Sequence, residues 1–380
     1  MMKTNVALMV FSSIISGAES VVHKMLTNIS KDDFNVFLIT NDEIKDKFVI
    51  DNVQVLSIGK LYDKRLFRRG LSKVIGEEKS TVFQMRGIVK KVQSLVKLYN
   101  IQIVHSNLLN DHYVNSRLHD VIRIMTIHGA HGLDSATGYT FSPDSIKKIY
   151  SSAGYIPSAC TYFHGLLRNI GIDDNKFVII PNGIDVKLIE EKKEDEIRDN
   201  NLNMVYLGGT RKVKGWDILL GGLKIVKDKG YTNFKLDILR DVPKDSELYK
   251  TAESYHLLDN IIFSGYVSNN DHLRHMARSN LYLLPSYSEG IANTLTEAIG
   301  LEKPVLATAV GGTPELIAHM KNGYLCETNA ASVAEGILYF LENKAKLAEF
   351  AEYNKTLKSK YDWVNVIKEY ELLYKKAIEE

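Results

Sequence analysis

Short apolar segments alternate with longer amphipathic ones along the whole chain, and glycines and charged residues gather just beyond the apolar segments. The first half offers strands at 5–11 (NVALMVF), 34–39, 53–57, 101–105, 123–127 and 177–180. Segments such as 82–98 and 160–169 between them read as helices. The second half repeats the rhythm, with strands at 203–207, 234–239, 261–263, 281–284 and 304–307. A strand that reads as a continuous apolar run is buried on both faces, so the alternation predicts parallel α/β sheets with helices on either side.

The chain has 380 residues, which at roughly 150 per domain favours two domains. Residues 190–201 (EEKKEDEIRDNN) follow the sequence PNGID (181–185), are almost without apolar residues and precede a fresh buried strand. They mark the boundary between two α/β domains of similar size, with a ligand expected in the cleft between them. Lys3 and the run Val6 to Phe11 superficially resemble a signal peptide. The run is short, and Ser12 and Ser13 follow it, so it reads as a buried first strand. No segment approaches the length of a membrane span. Cys160 and Cys326 lie too far apart in sequence to suggest a disulfide framework or a zinc site, and a reducing cytosol fits.

Open α/β sheets bind ligands beyond the carboxyl ends of their strands, so the loops there carry the candidate chemistry. The first is Gly208 to Gly215 (GGTRKVKG), whose glycines allow close backbone approach and whose Arg211, Lys212 and Lys214 supply charge for a diphosphate. A solvated basic turn is the plainer reading, and the order of residues is not that of a P-loop. The second is Glu289-Gly290-Ile291-Ala292-Asn293-Thr294, which leads into a helix starting near Asn293 or Thr294 and carrying Glu297. A helix N-terminus attracts phosphate, and two carboxylates could accept hydrogen bonds from hydroxyls. An ordinary helix start with acidic residues near its positive end reads the same way. The third is His128, at the end of an apolar strand and before Gly129, which could exchange protons or be structural; His105 and His131 are nearby alternatives.

Together these segments resemble the retaining glycosyltransferases of family four, over nearly the whole length. The stretch 285–315 carries the most specific likeness: PSYSEG, the two glutamates eight residues apart, EA (297–298), KPVLAT (303–308) and GGTPE (311–315), in the family's order. IIPNGID (179–185), VKGWDILL (213–220) and YDW (361–363) before a last amphipathic helix add to it. The resemblance implies the GT-B fold, in which two Rossmann-like, doubly wound parallel-sheet domains face each other across a cleft. It divides the chain into an acceptor-side domain (1–185), a nucleotide-sugar domain (186–360) and a C-terminal helix (361–380) packing back on the first.

The resemblance also implies roles. Glu289 contacts the transferred sugar, Glu297 the donor ribose, and Lys214 the diphosphate. The backbone amides of Ile291, Ala292, Asn293 and Thr294, after Gly290, bind phosphate or sugar oxygens. Gly265, Tyr266 and Val267 lie beside the base, Gly17 of SGAE approaches the phosphates, and His128 stands at the reaction centre. Two positions depart from the family. Gly209 stands where the family has an arginine, with Arg211 as a substitute, and Ser16 stands where it has a glycine.

The implied reaction is retaining transfer from a nucleotide sugar, a UDP sugar ahead of a GDP sugar, to a glycan or lipid-linked acceptor in surface polysaccharide synthesis. It needs no cofactor and no metal, in keeping with the absence of any Asp-x-Asp triplet. A sugar-nucleotide 2-epimerase and a non-catalytic GT-B partner subunit are the alternatives. A nicotinamide oxidoreductase is disfavoured, because no glycine fingerprint follows the first strand, and nothing points to nucleic acid. The net charge of +2 hides a basic segment from Lys60 to Lys97, where eleven cations face Asp63, Glu77 and Glu78. Arg65, Arg68, Arg69 and Lys73 interleave with Leu66, Phe67, Leu71, Val74 and Ile75, as in a helix lying on an anionic membrane or in a solvated helix packed on a core. The expected location is cytoplasmic, with peripheral attachment as the membrane variant.

Overall fold

A computed structural model describes residues 3–13, 17–61, 76–131, 133, 141–267 and 270–380. The chain divides into two compact units, Met1–Pro181 together with Trp363–Glu380, and Asn182–Asp362.

In the first unit, β1 (Thr4–Val10), β2 (Phe34–Thr40), β3 (Val53–Ser57), β4 (Ile103–Ser106) and β5 (Ile122–Met125) form one sheet in the order β3-β2-β1-β4-β5. All its pairs are parallel, with Leu8 of β1 opposite Leu38 and His105. Val6 to Val10 are fully buried, as a central strand covered on both faces must be. The apolar run 123–127 is shared between partners. Ile122–Met125 pairs with β4, while Met125 and Ile127 donate their N–H groups to Tyr155 and Pro157. These contacts lead into a two-stranded ladder of β6 (Ile156–Ser158) and β7 (Phe177–Ile179). β6 is missing from the sequence reading because it is three residues long and contains Pro157.

The last helix, Trp363–Glu379, belongs to this unit. Its buried face carries Trp363, Val366, Ile367, Tyr370, Leu373, Tyr374 and Ala377, the three-and-four spacing of an amphipathic helix. Those residues join the core formed by Val6, Leu8, Val22, Leu26, Phe34 and Leu38. Burial of an aromatic residue at such a position is worth about 3–5 kcal/mol against alanine.

The second unit holds a six-stranded parallel sheet in the order β10-β9-β8-β11-β12-β13. Its strands are β8 (Leu202–Tyr206), β9 (Phe234–Ile238), β10 (Ile261–Phe263), β11 (Leu281–Leu284), β12 (Val305–Thr308) and β13 (Gly323–Cys326). β13 also escaped the sequence reading: it is a short edge strand opening on a glycine, with Tyr324 and Leu325 only half-buried. PNGID leads into the helix Val186–Lys192, where the Asp185 carboxylate caps the Leu188 N–H at 3.0 Å. The charged stretch beyond Lys192 has no regular structure before β8.

Each sheet reverses its winding once, between β1 and β4 in the first unit and between β8 and β11 in the second. At such a switch point the loops on neighbouring strands diverge and leave room for a ligand. The loops so placed are those after β1 and β4 in one unit, and 207–215 and 285–292 in the other.

The basic segment falls partly outside the described residues. Arg65, Leu66, Phe67, Arg68, Arg69, Leu71, Lys73, Val74 and Ile75 are not among them, nor is Ser16. Beyond Gly76 the described residues form the helix Glu77–Leu98, which buries Ser80, Thr81, Met85, Val92 and Val96 and exposes Lys79, Arg86, Lys90, Lys91 and Lys97. Among the described residues, no helix is long and apolar enough to cross a membrane.

Candidate functional site

The second unit's switch point is built from two loops pressed together. After β8 the chain runs through Gly208 and Gly209 into a tight 3-10 turn, Lys212–Lys214, and reaches Gly215. Gly215 has φ +69, and a Cβ built there would lie 1.7 Å from the carbonyl oxygen of Pro285. Only glycine satisfies both demands. The contact is continued by the Tyr287 N–H, which donates to the Val213 carbonyl at 2.9 Å. From below, the buried Tyr206 hydroxyl lies 3.3 Å from the Gly209 carbonyl and 3.2 Å from the Lys214 carbonyl, drawing in both ends of the basic loop. Burial pushes this phenol far above its ordinary range, so it stays a neutral hydrogen-bond donor.

The same packing brings Lys214 and Glu289 together. The Lys214 ammonium is ion-paired with Glu289 Oε1, which also accepts from Ser286 Oγ at 2.7 Å. The Ser286 carbonyl in turn accepts from Thr308 Oγ1. The two ionic side chains are only 20% and 9% exposed, which separates them from surface pairs worth little. Removing either partner would leave the other charge poorly solvated.

Beyond Glu289 the chain enters the helix Asn293–Gly300. Its N-cap is Ala292, whose methyl group cannot accept a hydrogen bond from the helix start. The first turn is held from outside: Asn182 Nδ2 donates to Asn293 Oδ1 at 2.9 Å, and the Tyr282 and Thr294 hydroxyls are 2.6 Å apart. The Gly312 N–H donates to the Gly290 carbonyl at 3.1 Å, tying GGTPE to the glutamate loop. Glu297 sits inside the helix, with His272 Nε2 3.0 Å from Oε2. After β10, Gly265 adopts φ +74, the Tyr266 N–H donates to Asp241 Oδ1 at 3.0 Å, and Tyr266 is 63% exposed. Arg211 opens the 3-10 turn and is exposed.

Lys214, Glu289, Gly290 and the helix start from Ile291 to Thr294 therefore form one connected cluster beyond β8 and β11. Glu297 is reached through that helix, and Gly265, Tyr266 and Val267 follow β10. Tyr206, His272 and Arg240 belong to the same surroundings and carry no signal in the sequence, while Ser286 lies within PSYSEG but has no role of its own in the sequence reading. Each lies at or beyond a strand end or opens a helix, but a lone Tyr, His or Arg there carries no pattern to mark it.

Gly17 and His128 belong to the first unit. Gly17 opens the helix Gly17–Asn28 after the β1 loop. The first residues after β1 are held by the buried Asp111, whose carboxylate accepts from the Phe11 and Leu108 N–H groups at 3.0 and 2.9 Å. Asn41 assists by bonding both the N–H and the carbonyl of Ser12. His128 follows β5 with Nε2 3.2 Å from Asn107 Oδ1. Desolvation pushes it down to about 4, against an opposing pull from Glu19, so it is a neutral imidazole at pH 7. His105 is structural: its ring nitrogens each lie 2.6 Å from a hydroxyl, of Tyr374 and of Thr126.

Residues 15–188 match the family model described as Glycosyltransferase Family 4, and residues 189–357 match Glycosyl transferases group 1. A 186-residue segment is 28% identical to the N-acetyl-alpha-D-glucosaminyl L-malate synthase of Bacillus anthracis, covering 48% of each chain. Another, of 278 residues, is 24% identical to the capsular polysaccharide biosynthesis glycosyltransferase CapM of Staphylococcus aureus, covering 68% of this chain and 71% of CapM. Several matches span less than two thirds of the relative, 48% of the malate synthase and 62% of the gpi3 subunit of the Schizosaccharomyces pombe phosphatidylinositol N-acetylglucosaminyltransferase. Among solved structures, a glycosyltransferase from Rickettsia africae superposes with a TM-score of 0.79 at 18% identity, covering 100% of this chain and 99% of its own. The Anabaena protein HepE, solved with UDP, superposes with a TM-score of 0.78 at 17% identity over 98% of this chain and 100% of its own.

The buried imidazoles of the first unit give it a characteristic response to acid. Burial pushes His105 down to about 3 and His112 well below its ordinary range, and His128 and His131 down to about 4. The unfolded chain, with imidazoles near 6.5, then binds more protons than the folded one between about pH 6.5 and 4. Stability is complete above that window and falls as the pH drops through it. Each enclosed imidazole contributes a slope of up to about 1.4 kcal/mol per pH unit. His128 and His131 keep some exposure, so His105 and His112 dominate; the Asp111 carboxyl, raised by burial, works in the opposite sense. Urea unfolding of the first unit should show a clear loss of stability between pH 7 and 5, before most carboxylates titrate. A flat profile over that interval would contradict neutral buried imidazoles.

Proposed function

This chain belongs to the family four, group 1 glycosyltransferases, and we propose that it moves a sugar from a nucleotide-sugar donor to a glycan or lipid-linked acceptor in surface polysaccharide or glycolipid synthesis. The observation that carries the reading is the ion pair of Lys214 and Glu289 at the second unit's switch point, beside the start of the helix Asn293–Gly300. A cation, a carboxylate and a helix N-terminus at one switch point suit a ligand with a diphosphate at one end and hydroxyls at the other.

In this reading the donor diphosphate competes for Lys214. Glu289, released from its lysine but still fixed by Ser286, then accepts hydrogen bonds from the sugar. Glu297 serves the ribose, with His272 orienting it, and Tyr266 lies beside the base. As the bond between the anomeric carbon and the phosphate oxygen breaks, positive charge develops on the sugar and negative charge on the leaving diphosphate. Lys214, Arg211 and the backbone amides from Ile291 to Thr294 meet that negative charge, and charge stabilisation of this kind supplies most of the rate enhancement. Retention follows if the acceptor oxygen attacks from the face the diphosphate leaves and gives its proton to a departing phosphate oxygen. Glu289 is then no nucleophile, and the site needs no resident metal. UDP is the favoured nucleotide, supported by the UDP complex of HepE. Neutral His128, by the family resemblance, hydrogen-bonds at the reacting sugar.

Lys214→Ala should lower kcat more than it raises the donor KM, because leaving-group charge peaks in the transition state. Glu297→Ala should weaken binding of the free nucleoside diphosphate, by about 1.5–3 kcal/mol for the loss of a hydrogen bond to a charged group. Transfer of radiolabelled sugar from a panel of nucleotide sugars, repeated in excess EDTA and with added nucleoside diphosphate as a competing inhibitor, measures all of this. Unchanged kinetics for Lys214→Ala and Glu289→Ala would refute the site, and loss of transfer in EDTA restored by manganese would refute its metal independence.

The acceptor side of the proposal includes peripheral attachment to an anionic membrane through residues 60–97. The described helix exposes Phe83 (54%) and Leu98 (73%) beside its cations. A cation near such a surface is worth about 1 kcal/mol and is screened by salt. Co-sedimentation should find binding to anionic but not neutral vesicles, reversed by salt and lost when Arg65, Arg68 and Arg69 become Ser. Failure to bind either vesicle type would leave an acceptor presented from solution.

A further inference from the structure

The basic loop lacks an arginine at Gly209, and the structure shows what occupies the space instead. A Cβ built on Gly209 would lie 2.8 Å from Cβ and 3.0 Å from Cγ of Arg240, which follows β9. Gly209 has φ +59, where a side chain is strained as well as crowded. A side chain at 209 and the stem of Arg240 therefore exclude each other. The guanidinium is exposed and directed along the strand ends: Nε donates to the Leu207 carbonyl at 3.4 Å, and Cζ lies 5.8 Å from the Tyr266 ring centroid. Arg240 thus spans from the basic loop after β8 to the aromatic residue after β10. Gly209, on which it rests, is joined through the Tyr206 hydroxyl to Lys214.

We propose that Arg240 supplies the diphosphate-binding guanidinium of this chain, taking the place of the side chain that Gly209 lacks. The inference rests on the nucleotide-sugar reading of the second unit. The Nε contact engages one donor of the fork and fixes its direction, and the remaining N–H groups suit bidentate contact with phosphate oxygens. Its position against Tyr266 puts it on the path between base and diphosphate. Arg211 opens the 3-10 turn of the same basic loop.

The test is calorimetric binding of UDP and uridine, with GDP and guanosine in parallel, to wild type, Arg240→Ala, Arg240→Lys, Arg211→Ala and Lys214→Ala. Arg240→Ala should bind the diphosphate about tenfold more weakly, the loss expected for a hydrogen bond to a charged group, and bind the nucleoside as wild type does. Arg240→Lys should recover part of the loss, since it restores charge but not the fork, and Arg211→Ala should lose less than Arg240→Ala. Arg240 is exposed, so the melting temperature of the ligand-free variants should match wild type, separating a binding role from a folding one. Wild-type UDP affinity in Arg240→Ala beside a weakened Lys214→Ala would overturn the proposal and leave the donor site standing. Equal losses for UDP and uridine would place Arg240 on the base through Tyr266 and overturn its phosphate role. Binding of neither nucleotide by wild type would remove the underlying reading and the proposal with it.

Discussion

The organisation of the second unit depends on one close approach, Gly215 against the carbonyl of Pro285. β8 and β11 are neighbours in the sheet, but their following helices leave toward opposite sides, so their loops would ordinarily diverge. The missing side chain at Gly215 lets the loops touch, and the left-handed turn there points the chain into the helix Trp216–Asp228. Lys214 is thereby brought to Glu289, although the two lie 75 residues apart in sequence. The ion pair, the fixed serine beneath it and the helix start beyond it all inherit their positions from that contact.

The first unit solves a related problem by different means. Phe11 and Ser12, just beyond β1, are held by buried polar groups, Asp111 and Asn41, which take up backbone groups that would otherwise be stranded. Such networks are costly to leave incomplete. The unit also keeps imidazoles neutral by enclosing them, with His105 bonded to a hydroxyl of the C-terminal helix. Burial of these groups makes the unit's stability depend on pH, while the aromatic face of Trp363–Glu379 completes its core.

The fold was legible because central strands in parallel sheets read as apolar runs whatever their surroundings. The central runs 34–39 and 281–284 coincide with strands to within a residue, and the shorter runs 53–57 and 261–263, which lie at sheet edges, do so as well. β6 and β13 were not legible, because a three-residue strand with a proline and an edge strand opening on glycine have neither the length nor the hydrophobicity to announce themselves. The loops of the candidate site could be marked from glycines and charges at strand ends, and the family likeness attached roles to them. Arg240 could not be found that way. Its relation to Gly209 is a matter of space, two side chains competing for one volume, and sequence records only that one of them is missing. The same holds for Tyr206, whose hydroxyl acts on carbonyls that any sequence would supply.

Hydrogen exchange at residues 208–215 and 285–292, with and without saturating UDP or GDP, measures directly whether these joined loops hold the nucleotide. If they do, exchange should slow in both segments together, and the effect should fade in Lys214→Ala. Nucleotide binding that leaves both segments unprotected would contradict a donor site at the junction of β8 and β11.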